Sequence, residues 1–357
     1  MKNYVIKRAQ LIRFYVVLFA ALMITGLLQN TLVVKAADSL SYWNDDARAK
    51  NELQTFMKDI TNSSSENYIP VEDRIAVFDL DGTLFCETDP VYLDHLLLVY
   101  RVYGDPSYVN KATEAEKAAA NKVLEFAETG VYPNGLDVEH GKAIASSFYG
   151  MTVDEFTAYV NAFGNTPANG YTGMNKGDAF YKPMVQVIDY LQANDFKVYI
   201  VSGTDRLILR GLVQGRLPIP SNQIIGSDET IVATNQGNTD GLDYVYTEND
   251  SLILGGDFIV KNLKMNKVAV IAQEIGKQPV LSFGNSSGDY SMAEYVTSHN
   301  KYQSRAFMLC CDDTVRENGK LSSAEKMYDA CEKYGWVPIS MKNDWETIYG
   351  DGVVRAQ

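Results

Sequence analysis

Short apolar runs recur along this chain, and segments with the spacing of helices separate them. The apolar runs cover residues 75–78, 196–201, 279–283 and 306–310. Between them, residues 182–194 and 266–277 repeat apolar positions at helical spacing. Strands that are apolar throughout are typical of a parallel sheet that is buried on both faces. The pattern therefore predicts an α/β fold with a mostly parallel sheet and helices on both faces.

Two stretches interrupt this alternation of strand and helix. Residues 86–180 are rich in helix formers, and Thr152 precedes Glu155 by three positions, as in a helix capping box. This stretch predicts a helical cap domain inserted after the first strand, so the core comprises residues 74–85 and 181–357. Residues 218–262 alternate apolar and polar side chains, which predicts a small β-hairpin.

The N-terminal residues have the order of a secretory signal peptide. A basic start precedes an apolar run over residues 14–28, and small residues follow at Ala36 and Ala37. We predict a signal peptide over residues 1–36 and a secreted or cell-surface, extracytoplasmic mature chain. An uncleaved membrane anchor is the alternative. Residues 37–73 then form an N-terminal arm that begins with a predicted helix and ends in a polar loop.

The charge of the chain narrows the range of partners. Its formal charge is −13, and without residues 1–36, which hold five basic and no acidic residues, it becomes −18. Such an acidic protein is a poor partner for nucleic acid or an anionic membrane surface. We expect a small-molecule partner and no stable membrane partner after cleavage. The four cysteines are too few for a disulfide framework, their spacing indicates no zinc site, and their pairing stays open.

The first apolar run ends in a turn that carries paired carboxylates. Asp79 and Asp81 are two positions apart and point to the same side of an extended strand, and Gly82 permits a sharp turn before Thr83. Paired carboxylates suit binding of a hard cation and division of labour between a nucleophile and an acid. An acidic turn without chemistry has the same composition, so this segment needs support from the rest of the chain.

Three later elements provide that support. Ser202 and Gly203 follow the second run, where a hydroxyl and free backbone N–H groups suit phosphate. Of Lys261, Lys264 and Lys267, we choose Lys267 as an electrostatic clamp for phosphate, because it lies at the start of a predicted helix. Asn285 and Asp289 lie in the glycine-containing turn after the third run and offer oxygen ligands to Mg²⁺. The carboxyl ends of parallel strands meet at one edge, so these residues are expected to converge.

In this order, the four elements resemble the motifs of the haloacid dehalogenase superfamily over roughly residues 74–313. The chain is most similar to the phosphatases of that superfamily that have a helical cap after the first motif, such as phosphoserine phosphatases and secreted phosphorylcholine phosphatases. The resemblance implies a Rossmann-like core and a phosphohydrolase. Simple dehalogenases lack the second aspartate, so Asp81 favours phosphate chemistry.

The resemblance also implies roles for individual residues. Asp79 is the expected nucleophile, Asp81 the general acid and then base, and Lys267 the motif lysine. Asp79, the backbone carbonyl of Asp81 and Asp289 are the expected Mg²⁺ ligands.

The remaining roles concern the phosphate, the metal surroundings and the leaving group. Ser202 and Gly203 are expected to bind phosphate with help from Thr83. Many relatives have Asp where this chain has Asn285, which here offers a neutral oxygen or holds a metal-bound water. Glu87 is the candidate partner of a cationic leaving group.

We therefore expect a Mg²⁺-dependent phosphomonoesterase for a small phosphorylated metabolite such as phosphocholine or phosphoserine. A phosphotransferase with the same site and a non-catalytic surface binding protein on this fold are the alternatives.

Overall fold

The computed structural model describes residues 40–356, so the predicted signal peptide lies outside the described residues. In residues 40–356, no helix has both the length and the apolar character needed to cross a membrane.

Nine strands and ten helices make up the described chain. The strands are β1 (Ile75–Phe78), β2 (Tyr171–Thr172), β3 (Lys197–Asp205), β4 (Ile224–Ala233), β5 (Leu252–Val260), β6 (Leu281–Gly284), β7 (Arg305–Cys310), β8 (Val337–Ser340) and β9 (Val354–Arg355). The helices are α1 (Arg48–Thr61), α2 (Leu93–Val99), α3 (Glu114–Thr129), α4 (Leu136–Ser147), α5 (Val153–Gly164), α6 (Lys182–Ala193), α7 (Arg206–Val213), α8 (Met265–Val270), α9 (Tyr290–Thr297) and α10 (Leu321–Tyr334). π-Helical turns extend α2 over Tyr100–Gly104 and α8 over Ile271–Ile275.

Seven strands form one sheet in the order β5-β4-β3-β1-β6-β7-β8. Its strand pairs are parallel except for β4 and β5, which are antiparallel. The prediction of a mostly parallel α/β sheet is thus confirmed, and the predicted hairpin is the β4–β5 pair. The smaller sheet pairs β2 with β9.

The centre of the main sheet is buried on both faces. All four residues of β1 are buried, and the rings of Phe78, Phe283 and Phe307 from three neighbouring strands stack with centroids 4.2 and 5.0 Å apart. This apolar layer fixes β1 against β6, with Val77 opposite Ser282. The register matters for function because it sets where the polar residues after β1 and β6 emerge.

Helices α2–α5 lie between β1 and β3 in the chain, and we call them the helical cap. Two of them begin with complete capping boxes, at Thr113 with Glu116 and at Thr152 with Glu155. In each box the threonine hydroxyl accepts from a backbone N–H of the first turn and the glutamate accepts from the threonine N–H. These reciprocal bonds define where the cap helices start.

The helical cap is joined to the edge of the main sheet by backbone hydrogen bonds. The N–H of Gly150 donates to the carbonyl of Leu254 at 3.0 Å, and the N–H of Leu254 donates to Met151 at 2.9 Å. Nearby, α4 lies so close to β5 that a Cβ on Gly141 would be 2.5 Å from the Phe258 ring. The cap therefore continues the sheet beyond its edge strand β5.

The N-terminal arm packs on the opposite part of the core. Helix α1 lies near β8 and buries Leu53, Phe56 and Ile60, as its predicted helical spacing requires. Before it, Trp43 makes an edge-to-face contact with Trp345, with ring centroids 5.9 Å apart. The arm is thus part of the folded unit, and the four cysteines, all within the described chain, form no disulfide.

Candidate active site

Asp79 directly follows β1 at the carboxyl edge of the sheet. Its backbone N–H donates to the carbonyl of Phe283 at 2.9 Å, which extends the β1–β6 pairing to the turn. The Asp79 side chain is buried, with 7% of the residue exposed. Its position is therefore fixed by the sheet itself rather than by a mobile loop.

Lys267 lies in the first turn of α8 and bridges two carboxylates. Its Nζ is 2.5 Å from Asp79 Oδ1 and 2.6 Å from Asp289 Oδ1, and the lysine is completely buried. Burial disfavours the ammonium, but the two carboxylates outweigh it and raise the pKa of Lys267. Burial and the charge of Asp289 raise the pKa of Asp79 to about 7 despite Lys267. The Lys267 ammonium therefore forms ion pairs with two buried carboxylates.

Asp289 is held by the turn that follows β6. Its Oδ2 accepts the backbone N–H groups of Asn285 and Ser286, both at 3.0 Å. A Cβ on Gly284 would be 2.5 Å from Asp289 Cβ, so the close approach requires glycine. The turn thus orients the Asp289 carboxylate towards Lys267 and Asp79.

Asp81 lines the same cleft as Asp79 but has a different partner. Its Oδ2 accepts the hydroxyl of Thr204 at 2.7 Å, whereas Asp79 is bonded to Lys267. Burial, followed by the charges of Asp94 and Asp79, raises the pKa of Asp81 well above its usual value. A carboxyl in this environment favours its protonated form, which is the form that an acid catalyst needs.

Gly82 makes the sharp turn after Asp81. Its φ is +76°, and a Cβ there would lie 1.9 Å from Asn285 Nδ2 and 2.6 Å from Glu87 Cδ. A side chain is thus excluded by conformation and by space. This turn brings the segment after Thr83 back against Asn285.

Asn285 forms a hydrogen bond with Glu87, and this contact gives its residue type a physical reason. Asn285 Nδ2 donates to Glu87 Oε1 at 3.0 Å, and its Oδ1 faces the Thr83 hydroxyl at 3.4 Å. The same hydroxyl lies 3.5 Å from Asp79 Oδ2. Burial and the charge of Asp79 raise the pKa of Glu87 to about 7. An aspartate at position 285 would place a second carboxylate against Glu87, whereas asparagine donates a hydrogen bond to it.

This pairing predicts strong coupling between positions 87 and 285. In metal-free protein at pH 8, where Glu87 is ionised, Asn285→Asp should destabilise the fold, because two carboxylates then face each other. Adding Glu87→Gln should restore most of the loss, with a coupling of roughly 1–3 kcal/mol in a double-mutant cycle. Urea unfolding of the parent, both single variants and the double variant measures it. Additive effects of the two substitutions would contradict the assigned contact.

Ser202 and Gly203 lie at the end of β3, beside the cleft. Ser202 Oγ accepts the N–H of Thr204 at 3.2 Å, which leaves its own proton free to donate. A Cβ on Gly203 would be 2.6 Å from Leu263 Cδ2, so a larger residue here would displace the Leu263 side chain. The N-cap of α7 is Asp205, whose carboxylate accepts from Leu207 and Ile208. Ser202 is therefore not used as a helix cap.

The predicted site residues converge around one cleft of about 580 Å³. It is lined by Asp79, Asp81, Glu87, Ser202, Gly203 and Asp289. Lys267 lies beneath it, and Thr83 and Asn285 reach it through the contacts above. The sequence analysis missed Thr204 and Asp94. Thr204 stands two positions after Ser202, which is a usable signal, whereas nothing around Asp94 distinguishes it from a surface helix start.

The donor set of the cleft fits a hard divalent cation. Asp79, Asp81, Glu87 and Asp289 bring four carboxyl groups to a buried region, where Lys267 is bonded to Asp79 and Asp289. Burial, followed by the charges of neighbouring carboxylates, raises the pKa values of Asp79, Asp81 and Glu87, and a bound cation would oppose that shift. Carboxylate and amide oxygens are the ligands that Mg²⁺ prefers. The side chains of Asp79, Asp81 and Asp289 do not form a tight three-carboxylate group within the described chain.

Comparison with known proteins agrees with this geometry. The family model of haloacid dehalogenase-like hydrolases matches residues 76–294. A structure of a conserved functionally unknown protein from Anaerococcus prevotii has a TM-score of 0.51 at 13% identity, covering 84% of this chain and 94% of that chain. A phosphoserine phosphohydrolase-like protein from Francisella tularensis has a TM-score of 0.38 at 13% identity, covering 71% and 92%. A probable phosphoserine phosphatase from Vibrio cholerae has a TM-score of 0.35 at 12% identity, covering 74% and 69%.

None of the curated proteins compared with this chain matches it. The structural likeness to the Anaerococcus protein establishes a shared fold. The family model matches well over half of the 357 residues and includes the turns after β1, β3 and β6. The chain belongs to the haloacid dehalogenase-like hydrolases.

Proposed function

We propose that this hydrolase is a Mg²⁺-dependent phosphomonoesterase that forms a phospho-aspartate on Asp79. The observation that carries the proposal is the division of labour in the cleft. Lys267 holds Asp79 Oδ1 at 2.5 Å, while Asp81 is held separately by Thr204 at 2.7 Å. Two carboxyl groups with different partners thus lie two residues apart: Asp79 is paired with an ammonium, as an ionised nucleophile would be, whereas burial favours the protonated form of Asp81.

In the first step, Asp79 Oδ2 attacks the phosphorus of the substrate. This oxygen is free to react, because its contact with the Thr83 hydroxyl is long, at 3.5 Å. A bond forms between Asp79 and phosphorus, the bond to the leaving oxygen breaks, and Asp81 donates its proton to that oxygen. Placed proton donors of this kind typically contribute about 10²–10⁴-fold in rate.

In the second step, water attacks phosphorus and Asp81, now ionised, takes a proton from it. The bond between Asp79 and phosphorus breaks, and inorganic phosphate leaves. The proposed donors to the phosphate oxygens are the hydroxyl of Ser202 and the N–H of Gly203, and Lys267 offsets the charge on Asp79.

The residues that would hold Mg²⁺ are Asp79, Asp289 and the backbone carbonyl of Asp81, with Asn285 Oδ1 nearby. When bound, the cation neutralises charge that develops on the phosphate oxygens. Support comes from the oxygen donors of the cleft and from membership of a family whose members typically use this ion.

The cap wall of the cleft suits a substrate with a cationic leaving group. Tyr92 and Tyr132 flank Phe126, with ring centroids 6.3 and 5.1 Å from it, and all three line the cleft. Glu87 and Asp137 add carboxylates to the same wall. Aromatic faces attract cations. We therefore place phosphocholine-like and phosphoserine-like esters first among substrates.

One contact within the protein supports this preference. The Lys320 ammonium lies 5.6 Å from the centroid of Phe126. A substrate ammonium that binds the same face of Phe126 would have to displace Lys320 from it, and the long lysine side chain can move aside.

Phosphate release from a panel of phosphomonoesters tests the proposed reaction. The purified protein should release inorganic phosphate only with Mg²⁺, and chelation should abolish the release. Product analysis in the presence of added alcohols separates hydrolysis from transfer to another acceptor. Inactivity over the whole panel with the metal present would refute the proposal and favour a binding protein on this fold.

The same panel tests the leaving-group preference. Phosphocholine should have a higher kcat/KM than glycerol phosphate. Phe126→Leu should reduce the ratio of these two kcat/KM values by the equivalent of roughly 0.5–2 kcal/mol, which is the strength of a cation–π contact. Tyr149→Leu, at an exposed aromatic outside the cleft, is the matched control and should leave the ratio unchanged. An equal loss for neutral and cationic esters would assign Phe126 a packing role instead.

We also propose that the mature protein acts outside the cytoplasm. The basic start and apolar run of residues 1–36 support this location. Determination of the N-terminal residue of protein recovered from the culture medium would test it. An intact N-terminus on membrane-bound protein would instead indicate an anchor.

A further inference from the structure

Three potential metal ligands meet in the helical cap, apart from the carboxylates at Lys267. Asp94 and His95 lie in the first turn of α2, and His140 lies on α4. One ligand atom from each lies within 4.8 Å of the other two. Each residue is at least 96% buried. Two of the three histidines in the whole chain are therefore found in one cluster.

The hydrogen bonds of His140 leave a lone pair directed into this cluster. Its Nε2 lies 3.1 Å from the carbonyl oxygen of Asp94 and can only donate to it. In the neutral ring, Nδ1 is then an acceptor. It lies 3.9 Å from Asp94 Oδ2 and has no hydrogen-bond partner in the described chain. Two electron-rich atoms thus face each other without a donor between them.

The imidazole of His95 has the same shortage of hydrogen-bond partners. Its Nδ1 is buried and also lacks a partner among residues 40–356. The two imidazole rings are in edge contact, with centroids 4.4 Å apart. Buried polar atoms without partners cost free energy, so a cluster that holds two of them has a structural reason to bind something positive.

A bound proton is the simplest alternative to a metal ion. Burial lowers the pKa of both histidines and Lys261 acts in the same direction, so these effects outweigh the attraction of Asp94 and disfavour a protonated ring. A metal ion avoids this difficulty because it binds the neutral rings and pairs with the Asp94 carboxylate.

We propose that Asp94, His95 and His140 form a binding site for a divalent transition metal ion of the Zn²⁺ class. Two imidazoles and one carboxylate are a common ligand set for such ions and a poor one for Mg²⁺. Ligand atoms on a tetrahedral Zn²⁺ are about 3.4 Å apart, so His140 Nδ1 and Asp94 Oδ2, which are 3.9 Å apart, would have to approach each other. The site is distinct from the proposed Mg²⁺ site.

The open position of this site faces the catalytic cleft. Asp94 and His95 line the cleft, whereas His140 lies behind them. Three protein ligands and one open position are typical of zinc sites that bind water or a substrate atom. The Thr204 hydroxyl that bonds Asp81 also lies 3.4 Å from Asp94 Oδ2, so the two sites share this residue. The metal would thus bind where the cap meets the leaving group.

Zinc titration of the full protein, purified without a histidine tag and stripped with chelator, tests the proposal. Excess Mg²⁺ is present to occupy the oxygen site, and calorimetry and metal analysis report binding. One Zn²⁺ per chain is expected. Loss of an outer-shell partner typically weakens metal binding by about 10- to 100-fold. His140→Gln and His95→Gln each remove a ligand, so each should weaken Zn²⁺ binding at least as much. His299→Gln, which removes the exposed third histidine, should change nothing.

Two further measurements test Zn²⁺ binding without relying on catalytic activity or on the folding of the histidine variants. Asp79→Asn should bind Zn²⁺ as the parent does, even though it is expected to be inactive. X-ray absorption at the zinc edge of the parent should show two imidazole ligands, whether or not the histidine variants fold. A parent that binds no Zn²⁺ under these conditions, or a bound zinc without imidazole ligands, would overturn the proposal.

Discussion

Asp79→Asn should reduce phosphate release by at least roughly 10³-fold, because the amide cannot form the covalent intermediate. Asparagine keeps an oxygen that accepts from Lys267, so the fold should survive the change. Initial rates with a saturating phosphomonoester measure the loss. Rapid acid quench followed by mass spectrometry should detect a phosphorylated parent and no phosphorylated variant.

A matched control for this substitution is Asp178→Asn. Asp178 is a half-exposed partner of Arg216, outside the catalytic cleft, and its substitution should leave the rate unchanged. Far-ultraviolet circular dichroism should be the same for parent and both variants. If Asp79→Asn remained as active as the parent, the phospho-aspartate mechanism would be wrong.

Lys267→Met should have the second largest effect, on both activity and stability. Methionine fits the buried space but leaves Asp79 and Asp289 without their shared ammonium. Loss of one preorganised charge at a reacting centre typically costs about 10²–10³-fold in kcat. Removing one partner from a buried ion pair typically destabilises a protein by roughly 3–5 kcal/mol. Initial rates and urea unfolding without metal measure the two effects.

Mg²⁺ provides a more specific readout of the same substitution. A cation that binds the folded state raises its stability, and the variant has more uncompensated charge to offer it. The increase in melting temperature on addition of Mg²⁺ should therefore be larger for Lys267→Met than for the parent. Lys301→Met, at an exposed lysine far from the cleft, is the control. If Mg²⁺ raised the melting temperature of all three proteins equally, Lys267 would have no influence on the metal-binding region.

The sequence alone was sufficient to predict the core strands of the sheet and the order of the site residues along the chain. Ile75–Phe78 is apolar throughout because β1 is buried on both faces, so pattern and structure coincide there. By contrast, α10 and β8 were not predicted. The first has a largely polar surface, and the second is a strand of only four residues that includes Pro338.

Contacts between distant segments could not be predicted from local pattern. Glu87 meets Asn285 across 198 positions, and Thr204 meets Asp81 across 123. His140 meets Asp94 across 46 positions, and that contact depends on how α4 packs against α2. Neither helix has a residue pattern that specifies its partner. Tertiary packing of the cap therefore decides which polar groups meet, and single-sequence reasoning has no access to it.

The backbone bonds between Gly150–Met151 and Leu254 have a consequence for motion and for solubility. A cap tied to the sheet at its far end cannot swing open as one rigid lid unless these bonds break. Substrate entry should therefore involve local displacement of the segments nearest the cleft, around Tyr132 and Lys320. The same bonds cover part of the outermost strand, whose free edge would otherwise be a template for aggregation. A shortened protein without the helical cap should thus lose solubility together with leaving-group selectivity.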